Sequence, residues 1–148
     1  MYKICYTKTT MATFYTDGSA NPNPGPGGFA VISDGQPVAL GREADSTNIR
    51  MEAMALIAAY KLAEPGDVIY TDSEFWVNVV TKWAAGWKAA GWKKKTGPIK
   101  NLELVQELYQ LYLDHPGVVL EWTRGHVGTT GNEAADEWAN KAREGATL

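Results

Sequence analysis

The sequence predicts an α/β domain with a mixed sheet, and three observations carry that reading. Short apolar segments fill the first third of the chain, two of them joined by the dipeptide Asp34-Gly35. After residue 47 the apolar spacing changes to three and four, and helix and strand signals then alternate to the end of the chain. The length of 148 residues, 45% hydrophobic and 21% charged, allows one ordinary soluble domain with a real core and no staples.

Residues 1–12 show no clear period and read as a short extension. A first strand over 13–16 carries its alternation into Asp17-Gly18, and the Asn/Pro/Gly run over 21–28 is a tight loop without helix potential. Segments 29–33 and 37–42 form a hairpin, because Asp34-Gly35 supplies the positive φ angles of a two-residue turn. The first three strands should therefore be an antiparallel meander. Over 47–63, Ile49, Ala53, Leu56, Ile57 and Tyr60 recur at helical spacing, and Pro65-Gly66 closes the segment. A strand follows at 68–71, then a helix over 74–83 capped by Ser73. Leu102, Val105, Leu108, Leu111 and Tyr112 mark a helix over 99–113 that stops at His115-Pro116-Gly117. A last strand at 118–122 leads through a Gly-rich loop over 123–131 to a final helix over 132–143, with Ala134, Ala135, Trp138 and Ala139 on its apolar side.

One cysteine, Cys5, excludes an internal disulfide, and no apolar run approaches the roughly 18 residues that span a bilayer. The chain reads as cytoplasmic, with no membrane association and no evident protein partner, hence a monomer. Its net charge of −3 argues against a polyanionic partner only until its distribution is considered. Residues 75–102 hold six lysines and no acid, which leaves −9 on the remainder. A compact basic segment on an acidic body can hold a polyanion. Trp83, Trp87 and Trp92 interleave with Lys88, Lys93, Lys94 and Lys95, the mixture that a surface tracking a nucleic-acid backbone and stacking its bases requires.

Two corners, Asp17-Gly18-Ser19 and Asp72-Ser73, recur 55 residues apart, each placing a carboxylate where a strand ends. Glu52 lies on or beside the apolar stripe of its helix, three residues after Ile49, and a carboxylate turned toward the core needs a partner. Asp136 sits in the first turns of the last helix. Carboxylates gathered without cysteines suit hard cations such as Mg²⁺ or Mn²⁺ and not zinc. Their mutual repulsion persists only if cations or protons neutralise it.

Five stretches in order give these acids a context: YTDGS with NPGPGG (15–19, 23–28), TN-x-RME (47–52), TDS (71–73), the Trp/Lys segment (83–95) with Asn101, and GH…GNEAAD (125–136). With these, the chain resembles ribonuclease H of type 1 over nearly its whole length. The resemblance implies a single domain over 13–146 with a ribonuclease H-like fold: a five-stranded mixed sheet, three antiparallel strands then two parallel, flanked by helices. It also implies an endoribonuclease that hydrolyses the RNA strand of RNA–DNA hybrids, leaving 5′-phosphate and 3′-hydroxyl ends. Asp17, Glu52, Asp72 and Asp136 would hold two Mg²⁺ ions, for which Mn²⁺ could substitute. By the same analogy Asp17 bridges both ions, Asp136 helps hold the one on the attacking side, and Glu52 and Asp72 hold the one nearer the leaving oxygen. His126 matches the family's mobile-loop histidine, linked to proton transfer or product release, between Gly125 and Gly128.

The resemblance further assigns reading of the RNA 2′-hydroxyls to the backbone of residues 18–23, which includes Asn23, and to Asn48 and Glu52. The DNA strand would pass Phe75, Trp83 and Trp87, with Thr47 and Asn101 in a phosphate pocket and Lys88, Lys93 and Lys94 gripping the backbone. Three positions depart from the family pattern. Ile49 stands where many relatives carry Asn or Gln, Asp45 where a basic residue often supports the phosphate pocket, and Glu74 where Gln or Met is common. The family's separate N-terminal hybrid-binding module is not expected in the dozen residues before strand one. The alternatives are a nuclease of the same fold acting on DNA, or a non-catalytic hybrid-binding module.

Overall fold

A computed structural model describes residues 11–124 and 130–148. Asp34 and Gly35 both take positive φ, 52° and 75°, so the turn they form matches the twist of its flanking strands. These are β2 (Gly25–Ser33) and β3 (Gln36–Ser46), which pair antiparallel, and β1 (Thr13–Ala20) pairs antiparallel with β2 on its other edge. Then follow α1 (Asn48–Leu62), β4 (Val68–Thr71), α2 (Glu74–Asn78), a π-helical turn (Val79–Trp83), α3 (Ala84–Ala89), α4 (Leu102–Asp114), β5 (Val119–Trp122) and α5 (Thr130–Arg143). β4 joins β1 in parallel and β5 joins β4 in parallel, so that among the described residues the sheet has five strands in the order β3-β2-β1-β4-β5. The expected mixed sheet is present.

The two faces of the sheet are covered unequally. On one, Phe14, Val31 and Ile69 meet Leu56 and Tyr60 of α1, the fully buried Trp76 of α2, and Val105 and Leu108 of α4. Each large aliphatic side chain buried there contributes about 1.5–3 kcal/mol. The other face is thinner: Ala30 and Ile32 meet Ala135 and Ala139 of α5, with Tyr15, Leu40 and Trp138 at the margin. Small residues let this helix approach closely. A methyl group on Gly28 would lie 2.5 Å from the Ala139 carbonyl and nearer still to the Arg143 amide.

That approach explains where the strands differ from expectation. β1 continues through Asp17 to Ala20, and β2 begins at Gly25, inside the stretch expected to be loop. Glycine there serves extended backbone that helices press against, as well as the turn itself. Asp17 is accordingly within a strand and not at its end. Ile49, expected on the apolar stripe of α1, is 41% exposed, whereas Met51, Ala53, Leu56, Ile57 and Tyr60 are buried. The helix after Ser73 does not stop at residue 83. The Ala84 amide bonds back to the Val79 carbonyl, and the chain continues helically to Ala89. Among the described residues no helix is long and apolar enough to cross a membrane.

Candidate active site and nucleic-acid interface

The parallel register sets Tyr15 opposite Tyr70, and two further residues along each strand bring Asp17 beside Asp72. Asp17 is 8% exposed, and the Gly18 amide donates to its Oδ1 at 2.9 Å. Burial, then the charge of Asp72, then a hydrogen bond with Asp136 push its carboxyl up to about 9. A hydrogen bond between two carboxyls requires a proton on one of them. Glu52 is held by α1 at the same place. Burial raises it to about 7, a hydrogen bond from Ser73 pulls the other way, and the charge of Asp72 adds to the rise. The four acids thus form a string, Asp136 to Asp17 to Asp72 to Glu52, drawn from four elements. Among the described residues no three His, Cys, Asp or Glu groups close into a ready-made cage for one ion.

The string is braced from behind. Thr16 Oγ1 donates to the Tyr70 carbonyl at 2.8 Å, locking β1 to β4 just before the acids. Thr71 Oγ1 accepts from the Ser73 amide, and Ser73 Oγ in turn accepts from the Trp76 amide, which caps α2. The Trp76 indole donates to the Ile49 carbonyl at 2.8 Å, tying α2 to the first turn of the helix that carries Glu52. The Trp122 indole donates to the Asp72 carbonyl at 3.2 Å. Sequence reading assigned Trp76 and Trp122 no part in the site, and their only signal was position: one follows the TDS corner, the other ends the last strand.

The residues expected to read the RNA strand are joined to one another. Asn48 Oδ1 accepts from the Ala20 amide at 2.7 Å, and Asn23 Oδ1 accepts from the Asn48 amide at 3.1 Å, so the β1–β2 turn is fastened to the start of α1. On the other side of α1, Phe75, Trp83 and Trp87 form a row with ring centroids 6.0 and 6.1 Å apart. They line a groove of about 240 Å³ with Ile49, Lys94, Lys100 and Asn101. Phe75 and Trp83 are 43% and 39% exposed, unusual for large aromatics that have no surface to meet. Lys88 and Lys93 are exposed beside this row. Trp92 packs edge-on against Tyr109 of α4, so it anchors the basic segment. Of the departures, Ile49 offers the groove an apolar wall, while Asp45 and Glu74 are exposed. Thr47 caps α1 by accepting from the Arg50 amide at 3.1 Å. His126, with Gly125 and Gly128, lies outside the described residues; Asn132 Nδ2 donates to the Arg124 carbonyl at 3.2 Å between the ends that flank that stretch.

The RNase H family model matches residues 9–144. The chain is 44% identical over 143 residues to a ribonuclease H of Francisella philomiragia subsp. philomiragia, covering 93% of each. It is 43% identical over 137 residues to a ribonuclease H of Methylorubrum extorquens, a match that takes in 89% of this chain and 60% of that protein. Among solved structures, LC9-RNase H1, described as a type 1 RNase H with the type 2 active-site motif, superposes with a TM-score of 0.73 at 30% identity, over 95% of this chain and 76% of that one.

Proposed function

Because the chain belongs to the ribonuclease H family, we propose that residues 13–146 act as one domain that hydrolyses the RNA strand of RNA–DNA hybrids, leaving 5′-phosphate and 3′-hydroxyl ends. The observation that carries this reading is the acid string, in which Asp17 is pushed to about 9 and Glu52 to about 7 with Asp72 between them. Oxygen donors so crowded that two of them retain protons near neutrality fit hard divalent cations, whose binding would release those protons. Asp17, Glu52, Asp72 and Asp136 would hold two such ions, Mg²⁺ by choice. When bound, such ions would supply positive charge to offset the charge that develops on the oxygens of an in-line displacement at phosphorus.

The chain's own groups supply position. Thr16 and the Thr71–Ser73–Trp76 relay hold the acids on rigid elements. The Asn23–Asn48–Ala20 tie presents the backbone of residues 18–23 to the RNA strand. The aromatic row supports a hybrid that slides past α1, with the DNA strand toward Phe75, Trp83 and Trp87 and its phosphates toward Thr47, Asn101 and the lysines. His126 is assigned proton transfer or product release. The direct test is digestion of matched RNA–DNA, RNA–RNA and DNA–DNA duplexes with and without Mg²⁺. Cleavage confined to the RNA of the hybrid, and lost with EDTA, is expected; equal cleavage of the DNA duplex would overturn the reading.

A further inference from the structure

Arg50 makes two hydrogen bonds that have the same consequence. Its backbone amide donates to Thr47 Oγ1 at 3.1 Å, and its guanidinium Nη1 donates to Asn101 Oδ1 at 3.2 Å. Neither group can accept, so each bond consumes an acceptor on its partner and leaves the partner's donors, the Thr47 hydroxyl and the Asn101 amide NH₂, for something else. Asn101 shows the diversion directly. It heads α4 in a left-handed conformation, φ 56° and ψ 38°, and its carbonyl receives the Leu104 and Val105 amides. An Asn in that place ordinarily turns its side-chain oxygen onto the first turn of the helix, yet here no side-chain capping bond is made and the oxygen faces Arg50.

The guanidinium itself is held between acids, with Nη1 3.0 Å from Glu103 at the start of α4 and Nε 3.6 Å from Glu43 near the end of β3. With two carboxylates on one cation, its charge is already offset locally. Asn101 lines the aromatic groove, and Thr47 caps the helix that forms one side of it.

We infer that Arg50 is a positioning residue: it turns Thr47 and Asn101 into a pair of neutral hydrogen-bond donors for a phosphodiester oxygen of the DNA strand, without itself contacting the phosphate. The role rests on the hybrid reading above. It also accounts for a phosphate pocket that has Asp45 where a basic residue is common, since oriented neutral donors meet the anion alongside Lys94 and Lys100 of the same groove.

The test is hybrid binding by fluorescence anisotropy in EDTA at several salt concentrations, for Arg50→Gln, Asn101→Ala and the double variant. Arg50→Gln keeps the backbone amide on Thr47 and removes only the hold on Asn101. Each single variant is expected to weaken binding about tenfold, the weight of one hydrogen bond to a charged group. The double variant should be no weaker than either single one, and the salt slope of Arg50→Gln should equal that of the wild type. Arg50→Lys, which keeps the charge but lacks the planar fork, should recover little. A salt slope shallower by roughly 0.7–0.9 would mean that Arg50 touches the phosphate itself, and additive losses would mean that it acts independently of Asn101; either overturns the proposal. If Arg50→Gln does not fold, Glu103→Gln loosens the guanidinium without touching either donor. Its smaller loss must then vanish in the Asn101→Ala background for the proposal to stand. Wild-type affinity in Asn101→Ala, with hybrid still cleaved by the wild type, overturns the donor pair alone, whereas a wild type that neither binds nor cleaves hybrid overturns the functional reading and this inference with it.

Discussion

Gly18→Ala is the substitution that most directly joins the fold to the acid string. The new methyl group would lie 2.5 Å from the Glu52 amide nitrogen and closer still to the Met51 carbonyl, where ordinary contact begins at 3.4 Å. Both obstacles are backbone, so no rotamer change relieves the clash. The first turns of α1 must withdraw from β1 by about 1 Å, and the Glu52 carboxylate moves with them, away from Asp72. Overpacking of this kind costs about 1–3 kcal/mol, which for a chain of this size lowers Tm by roughly 2–4 °C per kcal/mol. A displacement of about 1 Å at a catalytic group is worth about 10²-fold in rate, so kcat should fall by that order at saturating hybrid. Thermal melts and steady-state cleavage measure the two effects together. Gly86→Ala, in α3 with open space around the new methyl group, serves as the control and should be neutral or slightly stabilising. A Gly18→Ala enzyme with wild-type Tm and kcat would refute the claim that this glycine sets the spacing between strand and helix.

Three further outcomes follow from the same geometry. Asp72→Asn should retain the fold and abolish cleavage, with a Tm equal to or above that of the wild type because repulsion in the string is relieved; cleavage near the wild-type rate in saturating Mg²⁺ would remove Asp72 from the site. Glu52 binds its proton up to about 7 when folded, against 4.5 ordinarily, so between those values the folded state holds a proton that the unfolded chain has lost, and stability declines as pH rises through the window. The part due to Glu52 is on the order of 3 kcal/mol. Melts in EDTA from pH 5 to pH 8 should show the decline, Mg²⁺ should oppose it, and Glu52→Gln should make it shallower while leaving the part due to Asp17, which is raised to about 9; a pH-independent wild-type Tm in EDTA would contradict the burial of these acids. Replacing Lys88, Lys93 and Lys94 together by Ala should raise KM and flatten the salt dependence of binding by roughly 0.7–0.9 for each lysine that meets a phosphate, leaving kcat nearly unchanged. A fall in kcat at constant KM would show instead that the basic segment supports the acid string.

Much of this was legible in the sequence, because it depends on local rules. Asp34-Gly35 specified its hairpin through backbone sterics, Ser73 bounded its helix through capping, and Pro65-Gly66 bounded the first helix through chain stiffness. The four acids were identifiable from their residue types and flanking motifs, although their convergence depends on the parallel β1–β4 register, which no local window contains. The elements that were misjudged are those where a distant partner decided. Residues 25–28 look like a turn by composition but are extended because β1 and β3 pair with them, with Met51 of α1 close to Gly27 and α5 close to Gly28. Ile49 keeps helical phase with the core yet faces the groove. Nothing about Arg50 in isolation distinguishes it from any surface arginine; its significance comes from Asn101, 51 residues away.

The string also makes chemistry depend on how the chain is completed. Asp17, Glu52 and Asp72 are delivered by the first half of the sequence, but Asp136 arrives with the last helix, which docks through alanines, Trp138 and the bonds of Asn140 and Arg143 to Ser19. During synthesis the residues of the large core, the groove and three of the acids are therefore all made before the fourth. A chain that stops short of α5 lacks one of the four acids and leaves the second face of the sheet uncovered. Docking of α5 then completes the string, and the proton that Asp17 retains lets Asp136 approach it through a hydrogen bond.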